Sequence, residues 1–175
     1  MKAAFLSLAV ALALVAHLAA MAAADLASLP LVTLNSSYAL KTLSGFDLSQ
    51  AAWGPSLEGL SLAVFPAPMV DTTKGKESIV VLIKNESKDE EQILLMNYLP
   101  TLDLTDRASG KRVWWPSPFV NDFAFFKFPP ESMMAFQIPF SYSTVKGMTL
   151  EGELGVRRPD HSSVSLKSEP FSVGS

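Results

Sequence analysis

The chain has 175 residues, no cysteine and a formal net charge of -3. Without thiols there is no disulfide framework, no thiolate metal site, no thiol nucleophile and no thiol for lipid attachment. The mildly acidic balance and the lack of a basic block argue against a phosphate backbone as ligand, so no nucleic-acid partner is expected.

Lys2 precedes an apolar run from Ala3 to Ala20 that only Ser7 and His17 interrupt. Ala22 and Ala24 place small side chains where a signal peptidase reads. Residues 1–24 therefore read as a signal peptide cleaved before Asp25. The run is long enough to span a bilayer, but it is mostly alanine, weakly hydrophobic per residue, and ends in a cleavage-like sequence. No stable membrane span is expected after processing, and the product is expected to be secreted or periplasmic. About 150 residues then remain, the size of one domain, which must rest on its core alone.

Residues 25–55 read as an N-terminal arm packed on the domain, and 56–175 as the domain itself. Within the arm, Asn35-Ser36-Ser37-Tyr38 and Ser44-Gly45 are loop punctuation, and Asp47 to Trp53 supports a helical turn or two that Gly54-Pro55 stops. Leu57 to Phe65 alternates as a half-buried strand and ends at Pro66 and Pro68. Asp71 to Glu77 reads as a polar loop. Ser78 to Asn85 is apolar on both faces, which suits a central strand covered on two sides. A charged turn leads into Gln92 to Asn97, the antiparallel partner.

Thr101 to Thr105 alternates and returns through Asp106-Arg107-Ala108-Ser109-Gly110 to Lys111 to Trp115, a hairpin. Pro116 to Asp122 is an irregular excursion. Asp122 to Phe128 carries aromatic side chains on both faces. Met133 to Ser141, Leu150 to Val156 and Val164 to Val173 complete the set, and Pro139 puts the end of its strand at an edge. About nine short strands with turns every eight to twelve residues predict an all-β, antiparallel, immunoglobulin-like β-sandwich with an irregular N-terminal arm.

Several segments carry a resemblance. VVLIKNES, LDLTDRASGKRVWW, FKFPPESMMAFQIPF and SLKSEPFSV are similar to segments of bacterial and fungal immunoglobulin-like domains. They also resemble the BsuPI-type proteinase inhibitor domain and the non-catalytic N-terminal segment of deuterolysin-type proteases. The likeness spans roughly Leu57 to Val173 and rests on fold motifs. It implies a binding module, with proteinase inhibition as one concrete form. The cysteine pair and core tryptophan of antibody-type domains are missing as a set.

The residues that carry chemistry are few. His161 is the one histidine after the leader, it lies in a polar loop beside Asp160, and no Gly-x-Ser-x-Gly elbow accompanies it. With no HExxH and no dense oxygen-ligand loop, neither metal nor cofactor is expected, and the chain reads as no enzyme. Glu151 and Glu153 share one strand face, as a paired acid/base site or as a solvated face. Met96, Met133, Met134 and Met148 read as pliable core filler. Asn35-Ser36-Ser37 and Asn85-Glu86-Ser87 are glycosylation sequons that matter only in a eukaryotic source.

The aromatic block is the candidate binding surface, with Trp114, Trp115, Phe119 and Phe126 as its anchors. Another protein is the expected partner. Carbohydrate, stacking on Trp114 or Trp115, is the alternative. If the block is instead covered, Leu40, Phe46 and Trp53 of the arm are its expected cover.

Overall fold

A computed structural model describes residues 29–65, 69–71, 76–96, 99–114, 123–158 and 160–173. The leader expected at 1–24 lies outside the described residues, as do Trp115, Phe119 and the Pro116–Asp122 excursion. In chain order the strands are β1 (Ala52–Trp53), β2 (Leu60–Val64), β3 (Met69–Asp71), β4 (Lys76–Asn85), β5 (Glu91–Met96), β6 (Leu99–Pro100) and β7 (Leu102–Asp106). They continue as β8 (Arg112–Trp114), β9 (Phe123–Phe128), β10 (Ser132–Pro139), β11 (Thr149–Arg157), β12 (Ser163–Lys167) and β13 (Phe171–Ser172). Two 3-10 turns, Leu48–Gln50 and Tyr142–Thr144, are the helical segments among the described residues. No helix among them is long and apolar enough to cross a membrane.

The strands form two antiparallel sheets, the sandwich expected from the alternation. In the first sheet β4 is central. β10 pairs along one edge from Ser132 to Pro139, while β2 and then β3 lie end to end along the other. In the second sheet β11 is central. β12 and β13 share one edge of it. On the other edge Gln92 and Ile93 of β5 pair with Arg157 and Val156, and β7 then pairs from Leu102 to Asp106. β5 and β7 thus occupy one strand position, interrupted by a short hairpin in which Leu95 and Met96 pair with β6. β8 borders β7, and β9 borders β5.

The strand count rises above nine because such positions are split. Glu58 and Gly59, both at positive φ (54° and 86°), turn the chain just before β2, so that strand starts at Leu60 rather than Leu57. Ser168 interrupts the last strand, its amide donating to the Gly152 carbonyl and its hydroxyl accepting from the Gly152 amide. Met69–Asp71 also pairs with β4, where a loop was expected from Asp71 onward. Three residues are too few for periodicity to register.

The inter-sheet core takes the inward residues of both layers. Leu62 and Val64, Ile79, Val81 and Ile83, and Met134, Phe136 and Ile138 face Ile93, Leu95, Leu102, Leu104, Leu154 and Val156. All of these are essentially inaccessible. The opposite face of the first sheet is buried too. Ala63, Phe65, Val80, Leu82, Met133 and Ala135 form a second cluster beneath Leu31, Leu40, Leu43, Phe46, Leu48 and Trp53. β4 is therefore covered on both faces, as its unbroken apolar run requires.

Residues 30–40 also run beside the free edge of β10. Val32 and Leu40 donate to the carbonyls of Met133 and Ala135, and Gln137 donates to that of Tyr38. This satisfies backbone groups that an edge strand would otherwise expose. At Gly54 the arm meets the second sheet so closely that a Cβ would stand 1.6 Å from the Lys167 carbonyl oxygen. No other residue type fits there without moving backbone.

Candidate functional site

Strand parity builds the site. In β5, Glu91, Ile93 and Leu95 share the inward face and all are buried. In β11, Leu154 and Val156 face the same core. Ile93 pairs with Val156 and Gln92 with Arg157. One residue further along each strand stand Glu91 and Arg158, where the core meets the end of the sandwich.

Three turns close over them. Glu58 comes from the β1–β2 turn, Ser87 and Asp89 from the β4–β5 turn, and Asp160 from the β11–β12 turn. With Glu91 and Arg158 they line a cleft of about 390 Å3. The Arg158 guanidinium pairs with Glu58, linking the second sheet to the first across the mouth. The Glu86 amide donates to the Gly59 carbonyl at 2.7 Å, joining two of the turns. Asn85 anchors a fourth. Its Nδ2 donates to the carbonyls of Asp89, Phe128 and Pro129 at 2.9, 3.2 and 3.1 Å, while its Oδ1 accepts from the Ser87 amide and hydroxyl. Glu58, Glu131 and His161, the positive-φ non-glycine residues among those described, all sit in turns of this end.

Among the described residues the cleft holds four carboxylates and one guanidinium. Glu91 is 3% exposed, and its Oε2 has no hydrogen-bond partner. Burial pushes the Glu91 carboxyl above the usual carboxylate range. Arg158 opposes this, and Asp89, Asp160 and Glu58 add to it. The buried Nε of Arg158 is also without a partner. Asp160 is held below the ordinary range by the hydroxyl and amide of Ser162, both donating to its Oδ1. No group of three or more His, Cys, Asp or Glu among the described residues could hold a metal ion.

Of the anchors expected from sequence, Phe126, whose side chain is described, is not among the residues that line this cleft. Phe126 is half-buried and packs against the inter-sheet core. Trp114 lies in β8 opposite Leu104, its side chain outside the described residues. Trp115 and Phe119 are outside them as well. Among the described side chains of β9, Phe125 is the exposed ring, 49% exposed, with the Arg157 guanidinium 5.0 Å from its centroid. Leu40, Phe46 and Trp53 cover the first sheet's outer face rather than β9. The sequon at Asn85 is fully buried with its amide engaged, whereas Asn35 is exposed.

Other candidates resolve into local pairs. His161 Nδ1 stands 3.2 Å from Arg157 Nη2, and Ser162 gives its hydroxyl proton to Asp160, so the imidazole does not bridge the two. Glu151 takes Lys167 at 3.0 Å, and Glu153 accepts from the Ser165 hydroxyl at 2.5 Å. Arg112 pairs with Asp103 at 2.9 Å. The outer face of the second sheet is a ladder of cross-strand charge pairs.

No protein-family model matches the chain, and no curated relative does. Among solved structures the chain is similar to the X-ray structure of Northeast Structural Genomics Consortium target SoR45, at 14% identity and a TM-score of 0.45. That match covers 69% of this chain and 90% of the other.

Proposed function

We propose that this chain is an exported, non-catalytic β-sandwich of the immunoglobulin-like kind that binds another protein through the turns at its Glu91–Arg158 end. The observation that carries the reading is the convergence of the turns on a cleft with an unpartnered, buried carboxylate. Left-handed non-glycine residues and unsatisfied buried polar groups are costly, and they concentrate where a surface is kept ready for a ligand. Glu58, Glu131 and His161 supply the first feature and Glu91 the second.

The chemistry near the cleft supports binding over catalysis. Ser162 has Asp160 rather than an imidazole as its acceptor, and that carboxylate, held below the ordinary range, is too weak a base to activate a serine near neutral pH. A proteinase-inhibitor-like role is the finer form of the proposal, with the partner's surface docking on this end.

Affinity capture from a secreted or periplasmic fraction tests it, with Asp89→Lys and, at the opposite end, Lys111→Ala as baits. Loss of the partner with the first variant and retention with the second supports the reading. Equal recovery by both removes this end as the binding surface.

A further inference from the structure

The cleft's chemistry narrows what the partner brings. We infer that the Glu58–Glu91–Arg158–Asp160 cleft receives a primary ammonium group of a polypeptide, with Arg158 taking a neighbouring amide carbonyl. The inference rests on the protein-binding reading above.

Donors and acceptors in the cleft do not balance. Among the described residues that line it, Glu58, Asp89, Glu91 and Asp160 face a single cation, Arg158. Arg158 is paired to Glu58, and no ion pair within 4.0 Å joins it to Glu91. Glu91 Oε2 is a buried acceptor with nothing to accept from, and Arg158 Nε is a buried donor with nothing to donate to. Asp160 is held ionised by Ser162 and has its second oxygen to offer. A ligand that suits all three carries donors with positive charge and an acceptor close by. An ammonium supplies three N–H donors, and a peptide carbonyl supplies the acceptor.

The alternatives fit less well. An anion would meet four carboxylates. A divalent cation finds no ligand cluster among the described residues, and it would leave Arg158 Nε unanswered. An apolar side chain would leave Glu91 buried and unpaired. The cleft volume of about 390 Å3 lies within the range of small-ligand clefts, roughly 300–1,000 Å3.

A lysine side chain and a chain N-terminus both present this chemistry. Three probes separate them by amide-detected NMR titration of the whole protein. N-acetyl-lysine N-methylamide carries a side-chain ammonium, alanine N-methylamide an N-terminal one, and N-acetyl-norleucine N-methylamide none. The expected result is saturable shifts at residues 87–91 and 158–162 with one or both ammonium probes and none with the norleucine compound. Binding should weaken about tenfold or more in Asp89→Asn and in Glu91→Gln. Asp89 is exposed, so its variant keeps the test valid if Glu91→Gln does not fold. Equal response to the norleucine compound, no saturable response to any probe, binding unchanged in Asp89→Asn, or a response to calcium chloride alone each overturns the inference. Partner capture that still depends on this end would then leave the broader reading standing.

Discussion

The Asn85 side-chain amide donates to the Phe128 carbonyl at 3.2 Å, joining the last residue of β4 in one sheet to the last residue of β9 in the other. The same amide holds Asp89 and Pro129, and its oxygen holds Ser87. One fully buried side chain thus fixes the β4–β5 turn and the start of the β9–β10 turn. Asn85→Ala would orphan one buried and three part-buried backbone groups at once. It is expected to cost about 3 kcal/mol in urea unfolding, and Asn85→Asp should not rescue it, since it loses the donors. A loss below about 1 kcal/mol would show that the turns hold themselves.

At Gly54 the approach of the Lys167 carbonyl leaves no room for a side chain. Gly54→Ala forces the arm away from β12 at a cost of about 3 kcal/mol, the upper part of the overpacking range. Chemical denaturation checks it. A neutral substitution would mean that the arm is not seated there.

Phe46 meets Phe65 edge to face, ring centroids 5.6 Å apart, over the outer face of the first sheet. Phe46→Ala should cost about 2 kcal/mol, less than a fully buried phenylalanine because the ring is half-buried. It should also speed proteolysis within residues 29–51 ahead of the sandwich. Uniform cleavage throughout the chain would contradict a separately docked arm.

Glu91 gives a pH signature. Its carboxyl is raised first by burial, so the folded protein keeps this proton to higher pH than the unfolded chain does. The stability from this group is present below the unfolded value and is lost as pH rises through the folded one. Glu91→Gln should therefore gain stability relative to the parent between about pH 4 and pH 7. Urea midpoints at the two pH values read this directly. A parent that gains on the variant with rising pH would reverse the sign.

Much of the architecture is legible in the residues. The run Ile79 to Ile83 states a strand buried on both faces, and alternation in Leu150 to Val156 states one buried on a single face. The division of one strand position between β5 and β7 is not legible. The hairpin between them depends on β11 accepting both pieces, a tertiary fact. The site was half-legible. Glu91 and Arg158 keep the inward parity of Ile93 and Val156, and counting by twos places both inside. Their charges, set among polar neighbours, read as solvated turns instead. Within the aromatic stretch, parity sends Phe126 and Phe128 inward and leaves Phe125 outside.

Hydrogen–deuterium exchange on the protein with and without its captured partner shows which end of the sandwich binds. Binding is expected to add protection at residues 56–60, 86–91, 129–131 and 158–162, with little change in the turn at 106–111. Protection confined to β9 or to the outer charge ladder of the second sheet, with the Glu91–Arg158 end unaltered, would contradict binding through that end.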